Sequence, residues 1–273
     1  MTQYQEIALA FPQPGFIQRI RSMLGVDFYR LLHTPMFYIF LAIAAIIPAM
    51  VLSMGGMSGG QTLYENAWNI IAADDPLYVI RDIADYANMN MVFIFGGIMV
   101  SIFIGHDYRS GYVKQLFTTH ARKVDYMMSK SLTCAFAIAC MCITYLMGSA
   151  LAGVLSGVSM AVNPGVLLAA ILGKMILSLG WASLFTMINV VLRRHFGVSI
   201  VLSFVLGTGI PIIGAAALLG NSALLNLLLY GASVYACLSS GLLTLILCAA
   251  VSAGWAVIYN LIGTIVLERS DVY

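Results

Sequence analysis

Six long apolar stretches recur along the chain, more than the interior of any single water-soluble domain of this length can hide. They cover residues 36–54, 87–104, 131–154, 165–192, 196–219 and 242–267. Each is close to the roughly 20 residues, at ~1.5 Å rise apiece, that a helix needs to cross a ~30 Å hydrocarbon core. In that solvent a helix is favoured because it satisfies its own N–H and C=O groups. Charged residues make up 9% of the 273 and hydrophobic ones 61%, whereas about a quarter of a soluble domain is charged. A soluble fold is therefore excluded, and the expected fold class is an all-α integral membrane protein with six transmembrane helices in one domain. Asn88 and Asn90 make the start of the second stretch the least apolar.

Lys and Arg flanking membrane helices are held on the cytoplasmic side. With the N-terminus inside, Arg19, Arg21, Arg30, Arg109, Lys114, Arg122, Lys123, Lys130, Arg193, Arg194 and Arg269 all fall inside and only Arg81 outside. Both termini are thus expected in the cytoplasm. The outer loop 55–86 then carries Glu65, Asp74, Asp75, Asp82 and Asp85. It reads as a connector with two short helices, or as a small cap for substrate entry. The formal charge of +2 gives no reason to expect nucleic acid. Cys134, Cys140, Cys142, Cys237 and Cys248 lie in or beside apolar stretches without CxxC spacing, so they read as packing residues rather than a disulfide framework or a zinc site. The N-terminal MTQYQEIALAFPQPGF lacks the basic start and apolar core of a signal peptide, so the first span is expected to act as the insertion signal.

Before the first span, FIQRIRSMLGVDFYRLLHT places Ile17, Ile20, Leu24, Phe28 and Leu31 at helical spacing, with Arg19, Arg21, Asp27 and Arg30 mostly off that stripe. Such a helix can lie flat at the inner interface until Pro35 helps turn the chain into the bilayer; the alternative is a cytoplasmic extension of the first span. Residues 105–131, GHDYRSGYVKQLFTTHARKVDYMMSKS, join the second and third spans. Five basic residues there interleave with Tyr108, Tyr112, Phe117 and Tyr126, a composition suited to docking another protein.

Asp107, Gly111 four positions later, the basic-apolar patch Lys114-Gln-Leu-Phe117, then Arg122 and Ser129-Lys130 before the third span give this loop a pattern. With the short exit LERSDV after the last span, the layout resembles the type-2 ATP-binding-cassette (ABC) permease family. The family more often has Glu at the position of Asp107. The resemblance implies an elbow helix within residues 1–35, a six-span permease domain over 36–267 and a cytoplasmic tail over 268–273. It also implies a coupling loop, 105–131, that sits in a groove of a cytoplasmic ABC ATPase, with Asp107, Arg109, Gly111, Lys114, Phe117, Arg122, Lys123 and Lys130 as its candidate residues. ATP and magnesium would belong to that partner. This chain has no GxxxxGK[ST] loop, and Gly173-Lys174-Met175 lacks the hydroxyl residue that magnesium needs.

Six helices alone cannot screen a polar route from lipid on all sides, so a second permease copy or a related permease is an expected partner, alongside the bilayer. Lys174, Ser183, Thr186, Asn189, Ser203 and Thr208, with Thr144 and Tyr145, are candidate pathway residues, although hydroxyl and amide groups equally serve as packing contacts between helices. Lys174 sits about 13 Å inward from Gly165 at helical rise, where an ammonium is expensive without a partner; an outer-loop carboxylate or an acidic group on the substrate is the expected one. His33, His106, His120 and His195 read as interfacial hydrogen-bonding groups, and Trp68, Tyr78, Tyr86 and Trp255 as interface anchors. No catalytic, cofactor-binding or metal-binding residue is expected. The expected function is the permease subunit of an ATP-driven exporter in a bacterial cytoplasmic membrane, extruding amphipathic or antimicrobial peptides or drugs. A non-transporting scaffold or sensor that docks a cytoplasmic protein is the alternative. An integral membrane enzyme fits less well, since no paired carboxylates or HExxH lie in the spans.

Overall fold

The computed structural model describes residues 15–55, 83–118, 122–155, 164–208, 227–238 and 241–269. Every regular element among them is helical: α1 (Phe16–Leu32), α2 (Pro35–Gly55), α3 (Ile83–Arg109), α4 (Tyr112–Thr118), α5 (Lys123–Leu155), α6 (Pro164–Val191), α7 (Phe196–Gly207), α8 (Leu229–Leu238) and α9 (Leu242–Arg269). The outer loop expected over 55–86 and the tail over 268–273 fall largely outside the described residues.

α1 and α2 meet at a bend of 66°. Its cause is local: Pro35 has no N–H to continue the ladder, and its ring disfavours helical geometry at Thr34. The loose end of α1 is tied off by His33 Nδ1, 2.8 Å from Tyr29 O, and by the Thr34 hydroxyl, which donates to Arg30 O at 2.6 Å. Pro35 and Pro164 each occupy a first helical position, where a missing donor costs little.

α6 is the centre of the bundle and packs against α3, α5, α8 and α9. Its Trp181 is fully buried, stacked on Phe93 of α3 and edge-on to Tyr230 of α8. α2 crosses α5 so closely that a Cβ added at Gly148 would lie 2.1 Å from Ala45 O, a contact only glycine allows. The outer rim is apolar and exposed, with Leu243 at 76% and Val201 at 62%. Among the described residues four helices are long and apolar enough to cross a membrane, and five spans result if the bent pair is counted as one. Together these features make the chain a multi-pass membrane protein.

The six-span expectation is met only in part. α7, at the start of the expected span 196–219, is twelve residues long, about 18 Å, and does not by itself cross the hydrocarbon; residues 209–219 lie outside the described ones. Where the sequence suggests a loop hugging the membrane over 220–240, ten residues form α8 inside the bundle. α8 runs antiparallel to α6, with Leu229 against Gly180 and Ala236 against Gly173. Its entrance lies at mid-depth, because the Trp255 indole at the midpoint of α9 donates to Leu227 O at 2.7 Å. Trp255 stacks on Tyr259, and its bond to Leu227 O ties the segment before α8 to α9. Trp255→Phe keeps an aromatic ring but removes the indole donor, so a loss of about 0.5–1.5 kcal/mol is expected, read as a lowered Tm in detergent, with Val257→Leu on the exposed face unchanged.

Candidate functional site

Two acids and two bases from three helices meet where α3 ends and α5 begins. Lys130 of α5 lies 2.6 Å from Asp27 Oδ1 of α1 and 2.6 Å from Asp107 Oδ2 of α3. Arg30, one turn after Asp27, bonds Asp107 Oδ1, and its other terminal nitrogen is 4.0 Å from Asp27. Ser129 donates to Asp27 Oδ2 at 2.7 Å. The side chains of Lys130 and Asp107 are 0% exposed, that of Asp27 1% and that of Arg30 23%, so three members of this formally neutral quartet are buried and Arg30 closes it at the surface. Burial works against the charge on Arg30, but Asp107, Tyr112 and Asp27 together outweigh it and raise the guanidinium pKa.

Aromatic rings close the quartet. Lys130 Nζ is 4.7 Å from the Phe103 ring centroid, and the Arg30 guanidinium is 4.0 Å from that of Tyr112. Tyr112 opens α4, so the short helix is seated directly on the charged cluster. Between α3 and α4 the chain reverses through Gly111 at φ 73°, a left-handed conformation that other residues adopt only with strain. Val113 of α4 is buried with Tyr126, Met127, Val190 and Leu267, and Phe117 packs edge-on to Tyr126 at 5.6 Å. Lys114, Gln115 and Thr118 are left exposed. A second latch joins α1 to α5, with Arg19 Nε donating to Asp125 Oδ2 at 2.8 Å.

The loop residues singled out from sequence therefore divide. Arg109, Lys114 and Arg122 are exposed. Asp107 and Lys130 are interior and pair with each other, and Gly111 supplies the turn. Phe117 lies half-buried against the bundle, and Lys123 donates to Leu267 O near the end of α9 at 2.6 Å, a favourable place for a cation. Sequence reasoning passed over Asp27 and Asp125 as site residues. The only signal was Asp27 as the one acid on a basic amphipathic helix, three positions before Arg30.

Most pathway candidates are engaged inside the bundle. Asn189 donates to Ser101 Oγ at 2.9 Å and accepts from Ser199, while Ser101 Oγ is 3.0 Å from Ser203 Oγ. Ser183 accepts from Asn260 at 3.1 Å, Thr186 is buried beside it on α6, and Thr208 donates to Val205 O at 2.7 Å. Thr144 bonds its own helix, and Tyr145 is buried. Lys174 is half-buried on α6; the outer-loop carboxylates expected near it lie outside the described residues. His33, His106 and His195 are exposed at the quartet end of the bundle, and among the described residues no group of three His, Cys, Asp or Glu is placed to hold a metal.

The described residues thus form an all-helical multi-pass membrane bundle with a short helix seated at one end of its spans. The family model described as ABC-2 family transporter protein matches residues 23–210, well over half of the chain and the whole of the quartet, so the chain belongs to the ABC-2 transporter family. That family is the membrane component of a transporter, distinct from the ATPase subunit it generally works with. No curated protein and no solved structure matches the chain.

The quartet makes its members interdependent. Lys130→Met leaves two carboxylates facing each other in the interior and is expected to cost about 3–5 kcal/mol, measured by thermal unfolding in detergent. Adding Asp107→Asn to Lys130→Met is expected to recover part of that loss, so a double-mutant cycle that comes out additive contradicts the shared cluster.

Proposed function

We propose that this chain is the permease half of an ATP-driven exporter in a bacterial cytoplasmic membrane, with six spans, both termini inside and α1 as the interfacial elbow. In this reading α4 is the coupling helix, α7 opens the fifth span, and two permease domains enclose the route. The observation that carries it is the seating of α4 on the quartet. A short helix fixed at its first residue to charges from α1, α3 and α5 passes a push to the ends of three longer helices. A loose loop would absorb that push.

Several features support the docking side. The exposed Lys114, Gln115 and Thr118 of α4, with Arg122 at the start of α5 and Arg109 at the end of α3, form a polar and basic rim, suited to an acidic-rimmed groove on an ATPase. The basic residues that set orientation lie at the same end. ATP and magnesium would be held by that partner. For the cargo, an outer loop as short as 55–86, with no large outer domain in its sequence, fits an amphipathic peptide or drug better than a bulky extracellular polymer.

The test is co-purification of the full chain with the ABC ATPase encoded beside its gene. Lys114→Glu with Arg122→Glu is expected to weaken the complex at least about tenfold, the equivalent of ~1.4 kcal/mol, and to abolish ATP-dependent peptide uptake into inverted vesicles while leaving Tm unchanged. An ATPase complex indifferent to both reversals would sink the assignment of α4.

A further inference from the structure

Beside the α4 platform, and separate from the quartet, a cavity of about 440 Å³ opens between the end of α3, the end of α6 and the start of α7. This is within the ordinary range of ligand clefts, roughly 300–1,000 Å³. Arg109, Arg193, Arg194 and His195 line it, and no acidic residue does. The Arg109 guanidinium is 3.9 Å from the centroid of Phe196, whose ring occupies the space left by the missing side chain of Gly105. The positive end of the α7 dipole adds to the same potential. The floor is polar, from Asn189 and Ser199.

Its edge is apolar. Val198 lines the cavity, and Val201 and Leu202 continue from it along one face of α7 at exposures of 62% and 38%. A cationic cleft at a membrane boundary that runs on into an exposed apolar stripe is complementary to a molecule with an anionic head and hydrocarbon chains. We infer that this cavity is a binding site for the phosphate-bearing headgroup of an anionic phospholipid, with its acyl chains along Val198, Val201 and Leu202. Basic pockets between membrane helices select such headgroups through charge and hydrogen bonding. The inference rests on the membrane placement alone, and its test uses no ATPase, so failure of the coupling proposal leaves it standing.

The experiment is native mass spectrometry of the full chain released from nanodiscs of mixed phosphatidylcholine and phosphatidylglycerol. The wild type is expected to retain phosphatidylglycerol in preference. Each lost basic group near a membrane surface weakens anionic lipid binding by about fivefold, so Arg194→Gln is expected to lower retention by that factor. Gly197→Asp is the sharper variant. Its Cβ meets nothing within 4 Å and an acid suits the first turn of a helix, so folding and Tm are retained while a carboxylate enters the site, and retention falls at least as far. Arg21→Gln with Arg269→Gln, both exposed elsewhere, is expected to leave retention unchanged. Equal retention of the two lipids by the wild type, an unaltered preference in Gly197→Asp, or an equal loss in the Arg21/Arg269 control would each overturn the inference. So would protection of lipid-free protein by millimolar inorganic phosphate matching that by phosphatidylglycerol, which would assign the cavity to a soluble phosphoanion, or loss of a dimer rather than of lipid in Gly197→Asp.

Discussion

Lys130 is a fully buried ammonium between two carboxylates, and the geometry of the whole quartet end follows from the need to compensate it. Taking an ion from water into a protein interior costs several kcal/mol even after relaxation. Two carboxylates repay that cost but create a surplus negative charge, which Arg30 removes. Because Asp27 and Arg30 belong to α1, Asp107 to α3 and Lys130 to α5, the three helices cannot slide past one another without breaking a pair in low dielectric, where a lone charge is worst tolerated. The apolar interface between α1 and α5 tolerates small shifts; the ionic one does not.

That rigidity is unevenly distributed along the molecule. Near the quartet, Tyr112 and Val113 pin α4 to the bundle through a cation–π contact and a small separate core. At mid-depth the contacts are of another kind: small residues and hydroxyls let α6, α8 and α9 approach closely, as where Gly180 N–H donates to the Ser252 hydroxyl at 3.0 Å. The difference is that charge pairs fix register, whereas hydroxyl contacts between helices contribute only modestly in a membrane. A load applied at α4 therefore meets a stiff end first and is relayed into a more adaptable middle.

How far the sequence foretold this depends on the range of the forces involved. The long spans were legible, since ~20 apolar residues are a local property and lipid is the only solvent that accommodates so many. The bend before α2 was legible from Pro35 for the same reason. α8 was not: the run from Phe196 to Ser240 carries no charged residue, and hydropathy does not tell a membrane-hugging loop from a short helix packed inside the bundle. Lys130 misled because it stands in a basic loop that reads as a docking surface, while its partner Asp27 is 103 positions away. The Trp255 contact was equally hidden, as its carbonyl partner Leu227 lies 28 positions earlier, outside any helical repeat.

The fate of the polar residues within the spans bears on where a cargo can travel. Asn189 is joined to Ser101 and Ser199, Ser101 to Ser203, and Ser183 to Asn260. Each of these groups is satisfied inside one chain, and an amide left without its partners would pay the full desolvation penalty. These residues are therefore ill-suited to serve as fixed handholds for a substrate in this conformation. A permease that uses them must part α3, α6 and α7 during transport and exchange these bonds for bonds to water or cargo. The outer face of α7 carries the apolar stripe proposed for lipid acyl chains, so the polar cluster is what holds α7 on α3 and α6 while that face stays in lipid.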